Sequence, residues 1–316
     1  MTSAGDLWFG LRVNVAGSPH PLADRTRSPR PLAELISAAR ADRRPVLLPG
    51  VFDAFSARLA VAAGFEAIYL TGAGLANARL GVPDIGLVTA DQLVDHVGAV
   101  TDAVGGIPLV VDADTGFGNA INVMRVVRRL ERAGAAAIQL EDQVFPKRCG
   151  HFTGKALIGV QEMEGKLRAA LDARRSDDTL IIARTDARAI EGFEAALERA
   201  ARYRALGADL IFVEAPTSTE EMRAICDRVD APHVANMVEG GVTPTLPLGD
   251  LGDMGFSAVL YANAALRCAQ RALSQAFTEL RETGSSANLL KAMATWEERQ
   301  EAVGKPYYDE LEARYG

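Results

Sequence analysis

The feature that most constrains the fold of this chain is a regular alternation of short apolar runs with amphipathic segments, which begins at Val46. The runs are apolar at consecutive positions, so they predict strands that are buried on both faces, and the segments between them predict helices. Buried strands that are always separated by helices are typical of a parallel sheet. The eight predicted strands are residues 46–48, 67–70, 108–111, 136–140, 180–183, 210–213, 233–235 and 258–261.

Eight such units predict an α/β fold, a closed (β/α)8 TIM barrel. The predicted helices are residues 53–63, 90–104, 120–133, 161–173, 192–206, 218–228 and 263–283. Three of them run into Gly64, Gly134 and Gly207, which suit left-handed helix ends. The competing architecture is a doubly wound open sheet. It would require a glycine-rich phosphate turn after its first strand, and residues 48–53 do not supply one.

The chain divides into three predicted parts. Residues 1–30 carry three prolines, with a fourth at position 31, and several arginines, and they predict a flexible amino-terminal arm. Residues 31–283 form the predicted catalytic barrel, and residues 284–316 form a carboxy-terminal helical extension. The extension carries Trp296, Tyr307 and Tyr308, which are suited to packing on a neighbouring subunit.

Charge and composition exclude several classes of protein. A net charge of −7 argues against a nucleic-acid partner, because phosphate binding requires a concentrated basic surface. The apolar runs are far shorter than a bilayer-spanning helix, so no membrane partner is expected. Three scattered cysteines suit a reducing compartment rather than a disulfide framework. We therefore expect a soluble, cytoplasmic protein.

Polar side chains and backbone amides lie at the carboxyl ends of six of the predicted strands, where barrels of this kind carry their active sites. In chain order these residues are Tyr69, Thr71, Gly72 and Ala73, then Asp112 and Asp114, then Glu141 and Asp142, then Arg184, Glu214 and Asn236. Four of these acids, Asp112, Asp114, Glu141 and Glu214, are too many to remain unpaired in one mouth, and oxygen-only ligands favour Mg²⁺ or Mn²⁺ over zinc. A divalent cation is therefore the simplest expectation.

The same strand ends predict how a substrate binds. Arg184 can hold a carboxylate through two parallel hydrogen bonds, and the backbone amides of residues 71–73 can hold a second carboxylate oxygen. The predicted partner is therefore a small-molecule carboxylate. Asp84, in the loop after the second strand, is placed to reach the cation or a substrate hydroxyl. An ordinary alternative for Arg184 is a structural ion pair with Asp186 or Glu214.

A polar loop follows the fourth strand and contains Lys147, Arg148, Cys149, Gly150 and His151. Cations beside a thiol lower the pKa of the thiol and prepare it for proton transfer or nucleophilic attack. Cys149 is therefore the predicted reactive group of the loop, although a lone cysteine is more often inert.

Taken together, these motifs resemble the isocitrate lyase and phosphoenolpyruvate mutase superfamily over residues 45–313. The matching pieces are residues 69–74 (YLTGAG), 83–84 (PD), 112–118 (DADTGFG), 141–143 (EDQ), 147–151 (KRCGH), 183–186 (ARTD), 214–215 (EA) and Asn236. The resemblance implies a barrel whose last helix is swapped between subunits in a homotetramer, a dimer of dimers. It also implies Mg²⁺ held by Asp112, Asp114 and Glu141, partly through water.

Residues 147–151 resemble the gating loop of the carbon–carbon lyase branch of that superfamily. The resemblance implies that Cys149 protonates the departing carboxylic acid. We assign removal of the substrate hydroxyl proton to Asp84. Lys147, Arg148 and His151 are expected to offset charge around the departing fragment, with Gly150 beside it.

Residues 236–241 resemble the version in 2,3-dimethylmalate lyase and related 2-alkylmalate lyases, and also that in carboxyphosphonoenolpyruvate mutase. The 2-methylisocitrate lyases tend to carry hydroxylated side chains where this chain has Met237 and Val238. We expect Mg²⁺-dependent cleavage of a 2-hydroxy di- or tricarboxylate to pyruvate or another α-keto acid plus a carboxylic acid. The alternatives are a phosphonate mutase and an inactive barrel that serves as a binding protein.

Overall fold

A computed structural model describes residues 30–148 and 154–316, and in them eight parallel strands close into a barrel. Each strand pairs with the next along the chain, and the eighth pairs with the first. The strands are β1 (Val46–Val51), β2 (Ile68–Leu70), β3 (Leu109–Asp112), β4 (Ala135–Glu141), β5 (Leu180–Thr185), β6 (Leu210–Val213), β7 (His233–Asn236) and β8 (Phe256–Tyr261). The predicted (β/α)8 barrel is confirmed.

The helices surround the strands in the expected alternation. They are α1 (Leu32–Asp42), α2 (Ala54–Ala62), α3 (Gly72–Leu75), α4 (Ala90–Val104), α5 (Ala120–Arg132), α6 (Val160–Ala173), α7 (Phe193–Ala205), α8 (Thr219–Arg228), α9 (Leu248–Met254), α10 (Ala264–Thr283), α11 (Trp296–Ala302) and α12 (Lys305–Tyr315). A π-helical turn, Ala76–Leu80, continues α3. Gly64, Gly134 and Gly207 have positive φ angles, as predicted from their positions after helices.

Two apolar layers hold this architecture together, and alternation along each strand decides which layer a side chain joins. Inside the barrel, Tyr69, Val110, Ala137, Ile182 and Phe212 pack with other interior residues. Side chains of the opposite parity, such as those of residues 68, 111, 138 and 181, pack outward against the helices. The interior residues lead toward the mouth of the barrel, where the candidate site lies.

Helix α1 covers the opposite end of the barrel. Leu32, Leu35 and Ile36 of this helix belong to the interior apolar cluster. Because α1 leads directly into β1, it lies at the amino-terminal ends of the strands. Helices α1, α3 and α9 are not among the predicted elements.

The carboxy-terminal part behaves differently from the barrel helices. No side chain of α10 is buried, and Leu273, Phe277 and Leu280 are exposed. The following extension returns to the barrel, where Arg58 of α2 donates a hydrogen bond to the Ala302 carbonyl. None of the helices within residues 30–148 and 154–316 is long and apolar enough to cross a membrane. The predicted three-part division of the chain stays a prediction, and its arm lies almost wholly outside the described residues.

Candidate active site

The predicted site residues share the interior parity of their strands. Asp112 and Asp114 continue the interior series of β3, Glu141 that of β4 and Arg184 that of β5, and the same holds for Tyr69 on β2, Glu214 after β6 and Asn236 on β7. The register of the strands also brings site residues together, because Glu141 pairs with Arg184, and Arg184 with Phe212, across neighbouring strands. Alternation therefore brings side chains from six strand ends to one mouth.

Asp112 and Asp114 approach a common point beside the backbone of Gly72. A Cβ on Gly72 would lie 3.0 Å from Asp112 Oδ2 and 3.3 Å from Asp114 Oδ1, so glycine leaves this space open. Asp114 has a φ of 48°, a left-handed conformation that carries backbone strain at this position. The Gly72 amide donates to Asp112 Oδ2 at 3.3 Å. In this structure it supports a site acid rather than a substrate carboxylate.

The other predicted residues after β2 have separate roles. Thr71 caps the amino terminus of α3, and its Oγ1 accepts a weak hydrogen bond from the Gly74 amide at 3.4 Å. Tyr69 is buried below the acids, and burial together with the charge of Asp112 raises the pKa of its phenol well above the ordinary value. It therefore remains a neutral hydroxyl at the floor of the mouth.

Lys147 lies among the acids rather than at the loop surface. Its Nζ is 2.5 Å from Asp84 Oδ1 and 2.9 Å from Asp114 Oδ1, and its side chain is only 3% exposed. Burial opposes its charge, but Asp114, Glu141 and Asp112 outweigh burial and raise the pKa of Lys147 well above the ordinary value. Lys147 is therefore a permanent cation that joins the predicted base to a predicted metal ligand.

Burial dominates the ionisation of the acids. It raises the pKa of Asp114 to about 6, with Asp112 and Asp84 adding to the rise and Lys147 opposing it. It also raises the pKa of Glu141 well above the ordinary value, although Arg184 and Lys147 oppose the rise. Repulsion and desolvation of this kind are relieved when a cation joins the acids.

Arg184 is surrounded by three carboxylates. Its Nε lies 2.9 Å from Asp186 Oδ2 and its Nη2 lies 3.1 Å from Asp186 Oδ1. Glu141 Oε2 is 3.4 Å from Nε, and Glu214 Oε2 is 4.0 Å from Nη2. Its Cζ lies 5.1 Å from the centre of the Phe212 ring. The ion-pair alternative for Arg184 is thus present, and it occupies one edge of the guanidinium group.

Asn236 completes this side of the mouth. Its Nδ2 donates to Glu214 Oε2 at 3.3 Å, whereas its buried Oδ1 accepts no hydrogen bond from the described residues. The residue after it, Met237, is 2% exposed and packs with Met222, Leu251 and Phe256 outside the barrel. Met237 therefore faces away from the mouth, as its parity requires.

Asp142 is separated from Glu141 despite being adjacent in sequence. Its carboxylate accepts hydrogen bonds from Thr185 Oγ1 at 2.7 Å, the Asp186 amide at 3.0 Å, Tyr203 Oη at 2.9 Å and Arg199 Nη1 at 3.2 Å. These contacts lie behind the strands rather than in the mouth. Alternation along β4 was the sequence signal that could have assigned the two acids to opposite sides.

The loop after β4 is described only in part. Gln143 holds its first turn closed, because its side chain bonds both the amide and the carbonyl of Arg148 at 2.9 Å each. The Arg148 side chain is exposed. Cys149, Gly150 and His151 lie outside the described residues, so their predicted places in the site stay predictions. Sequence reasoning missed Gln143, and also Lys155, whose Nζ lies 2.8 Å from Asp186 Oδ1.

The residues present fit a magnesium or manganese ion. The donors are carboxylate oxygens, and the buried Glu141 Oε1 accepts no hydrogen bond from the described residues. Within residues 30–148 and 154–316, no three His, Cys, Asp or Glu side chains converge closely enough to enclose a metal directly. Mg²⁺ retains several waters, so acids that reach it through water do not need that convergence.

Comparisons with known proteins agree with this geometry. Residues 36–281 match the phosphoenolpyruvate phosphomutase family. A 2,3-dimethylmalate lyase from Eubacterium barkeri is 42% identical over 284 residues, which cover 90% of this chain and 96% of that protein. A 2-methylisocitrate lyase from Aeropyrum pernix is 47% identical over 268 residues, which cover 85% of this chain and 86% of that protein.

Solved structures of proteins from the same superfamily are also similar to this chain. The crystal structure of a 2,3-dimethylmalate lyase, a member of the PEP mutase and isocitrate lyase superfamily, superposes with a TM-score of 0.83 at 34% identity, covering 89% of this chain and 95% of that chain. A phosphonopyruvate hydrolase in complex with oxalate and Mg²⁺ superposes with a TM-score of 0.79 at 31% identity, covering 90% and 98%.

Proposed function

Because the chain belongs to the phosphoenolpyruvate phosphomutase family, within the PEP mutase and isocitrate lyase superfamily, and is a carbon–carbon lyase, we propose that it cleaves a 2-hydroxy dicarboxylate of the 2-alkylmalate type. The products are pyruvate or another α-keto acid and a carboxylic acid. The observation that supports this most is the meeting of Asp112, Asp114, Glu141 and Arg184 at one mouth, with Lys147 between the acids. Such a mouth is built for an anion and a divalent cation together.

Binding and proton removal follow from the described contacts. The edge of Arg184 formed by Nη1 and Nη2 takes the carboxylate next to the hydroxyl, because Asp186 occupies its other edge. Asp84 accepts the hydroxyl proton, and its contact with Lys147 holds it beside Asp114. Mg²⁺ bound among Asp112, Asp114 and Glu141, with Mn²⁺ as an alternative, would supply a Lewis acid for the oxygens of the α-keto acid.

Departure of the second product requires an acid. Breaking the bond between C2 and C3 leaves a carbanion on the departing carboxylic acid, and a proton delivered at once prevents its return. We assign this proton to the thiol of Cys149, on the grounds of the loop sequence given above. Lys147 supplies positive charge near the forming products, where a buried mouth makes that charge effective.

The preference for a dicarboxylate comes from the segment after β7. A tricarboxylate requires an extra polar contact, and Met237 cannot provide one because it is apolar and packs outside the barrel. Val238, which is partly buried, is apolar as well. The relative from Eubacterium barkeri is named for a dicarboxylate, whereas that from Aeropyrum pernix is named for a tricarboxylate.

We also propose the assembly and location that suit this activity. The exposed apolar residues Leu273, Phe277 and Leu280 of α10 support a homotetramer in which this helix packs on a neighbouring subunit. Three scattered cysteines and a net charge of −7 are consistent with a cytoplasmic enzyme.

A pyruvate-release assay tests the function. Purified protein is given 2,3-dimethylmalate, 2-methylmalate or 2-methylisocitrate, with Mg²⁺ or with a chelator, and pyruvate is measured with lactate dehydrogenase. We expect Mg²⁺-dependent release that is fastest with a 2-alkylmalate and is lost in Asp114→Asn. The fully exposed Asp177 provides the matched control, Asp177→Asn, which should retain activity.

Each contrary outcome has a distinct meaning. Fastest release from 2-methylisocitrate would reject the dicarboxylate preference while retaining the lyase. Absence of pyruvate from all three compounds, with Mg²⁺ present and the protein folded, would reject the proposed activity and favour a phosphonate mutase or a binding protein. Equal rates in the presence of the chelator would reject the role of the cation.

A further inference from the structure

Asp186 is a buried acid to which the proposed chemistry gives no direct part. Its side chain is fully buried, and both of its oxygens face cations. Oδ2 accepts from Arg184 Nε at 2.9 Å, and Oδ1 accepts from Arg184 Nη2 at 3.1 Å and Lys155 Nζ at 2.8 Å. Two cations on one buried carboxylate make a closely fixed charged group.

The backbone of Asp186 is fixed from the other side of the strand. Its amide donates to Asp142 Oδ1 at 3.0 Å, and the neighbouring Thr185 Oγ1 donates to Asp142 Oδ2 at 2.7 Å. Asp142 is held in turn by Arg199 and Tyr203. These hydrogen bonds fix the position of the Asp186 backbone. The groups that bind the Asp186 carboxylate are therefore held in fixed positions as well.

The neighbouring cations keep Asp186 in one protonation state. Burial alone would raise the pKa of Asp186, but Arg184 and Lys155 outweigh burial and lower the pKa to about 2. The carboxylate is therefore ionised at any working pH. The other acids beside Arg184 are more distant from it, Glu141 at 3.4 Å and Glu214 at 4.0 Å.

The planar geometry of the guanidinium group means that the contact with Asp186 determines the orientation of Arg184. A guanidinium presents one edge through Nε and Nη2 and another through Nη1 and Nη2. Asp186 occupies the first edge of Arg184 with two hydrogen bonds. The second edge has Glu214 Oε2 at 4.0 Å from Nη2, beyond hydrogen-bond distance, so it can bind another carboxylate in the orientation that the first edge determines.

We propose that Asp186 is a positioning residue that fixes the orientation in which Arg184 binds the substrate carboxylate, with Lys155 holding Asp186 in place. The inference rests on the proposed function only in assigning a carboxylate ligand to Arg184. Asp186 itself does not touch the substrate. Its removal is therefore expected to weaken binding mainly through Arg184.

Binding of oxalate, a small dicarboxylate, provides a readout that does not depend on turnover. Affinity for oxalate with Mg²⁺ is measured by calorimetry for the wild type, Asp186→Asn, Arg184→Met and the double variant. Asp186→Asn should bind oxalate about tenfold or more weakly than the wild type, because it removes the charge that orients Arg184. In the Arg184→Met background, the same substitution should change affinity by less than about twofold, since its effect passes through Arg184.

The control is Asp177→Asn, the same change at a fully exposed aspartate just before β5, which should bind oxalate like the wild type. Thermal unfolding confirms that each variant is folded. Oxalate affinity in folded Asp186→Asn equal to that of the wild type would overturn the inference. It would also be overturned if the two substitutions weakened binding independently, because a general structural defect behaves in that way. Failure of the wild type to bind oxalate would remove the anion-binding role of Arg184 and overturn it too.

A second measurement serves if Asp186→Asn does not fold. The Hε proton of Arg184 in the wild type, assigned by its loss in Arg184→Met, should exchange with water much more slowly than those of surface arginines, with or without oxalate. Fast exchange in both states would overturn the inference. If the wild type binds oxalate in the expected way but releases no pyruvate from any hydroxy acid, the proposed function fails and the positioning role stands.

Discussion

Replacing His233 with glutamine should remove a pH dependence that the structure places at the amino-terminal end of β7. The imidazole is buried, its Nε2 donates to the Val229 carbonyl at 2.7 Å, and its Nδ1 has no partner among the described residues. Phe256 packs edge to face on the ring, with centroids 6.3 Å apart. A protonated ring would bring a second N–H and a charge into a place that offers no acceptor for them.

The pKa of His233 is lowered from 6.5 to about 4, chiefly by burial; the charges of Arg40 and Arg204 contribute to the decrease, whereas the Val229 carbonyl and Asp230 oppose it. In the unfolded chain the histidine binds a proton as the pH falls below 6.5, whereas in the folded chain it does not until about pH 4. The stabilisation is therefore complete above pH 6.5 and is lost progressively between pH 6.5 and pH 4. Linkage gives a loss of about 2 kcal/mol by pH 5 and about 3 kcal/mol in full.

Urea unfolding at pH 8 and pH 5, at one protein concentration, measures this effect. Other groups also titrate over this range, so the quantity of interest is the difference between the wild type and His233→Gln. Glutamine retains a donor for the Val229 carbonyl but cannot titrate. The wild type should lose about 2 kcal/mol more than the variant between pH 8 and pH 5. Parallel pH profiles for the two proteins would refute the reasoning.

Three further predictions concern the mouth and the barrel wall. Lys147→Met should lower the melting temperature in the presence of a chelator, because the buried acids lose the cation that faces them. Mg²⁺ should then raise the melting temperature of the variant more than that of the wild type. Equal shifts of the two melting temperatures with Mg²⁺ would contradict this. Cys149→Ser should retain binding of pyruvate with Mg²⁺ while losing turnover, and full activity in that variant would reject Cys149 as the acid. Gly50→Ala should destabilise the barrel by about 3 kcal/mol or more in urea unfolding, since the added Cβ would lie 2.0 Å from the Ala262 carbonyl oxygen. The control, Gly165→Ala, would place a Cβ with no atom within 4 Å, and it should be neutral or stabilising.

The alternation of apolar runs and helices was sufficient to predict the barrel because each strand is buried on both faces and therefore stands out in sequence. Helix α9 was missed because its segment, Leu248–Met254, contains two glycines and two aspartates and shows little helical pattern. Helix α3 was missed because it has only four residues and begins with glycine. Both are held by surrounding structure more than by their own propensity.

The members of the candidate site could be predicted from strand ends, but their pairings could not. Strand parity explains why Glu141 enters the mouth and Asp142 does not, and the sequence contained that information. The approach of Lys147 to Asp84 and Asp114 depends on how the loop after β4 folds back, which no local pattern records. The sharing of Asp186 by Arg184 and Lys155 is a long-range contact of the same kind.

Acids from β3 and β4 are proposed to hold a divalent cation at the barrel mouth. Mn²⁺ binding, followed by the loss of the free-ion electron paramagnetic resonance signal, tests it on the wild type and on a double variant, Asp112→Asn with Asp114→Asn. We expect one Mn²⁺ site per chain in the wild type, with tighter binding in the presence of oxalate, and no such site in the double variant. Equal binding of Mn²⁺ by the two proteins would contradict it.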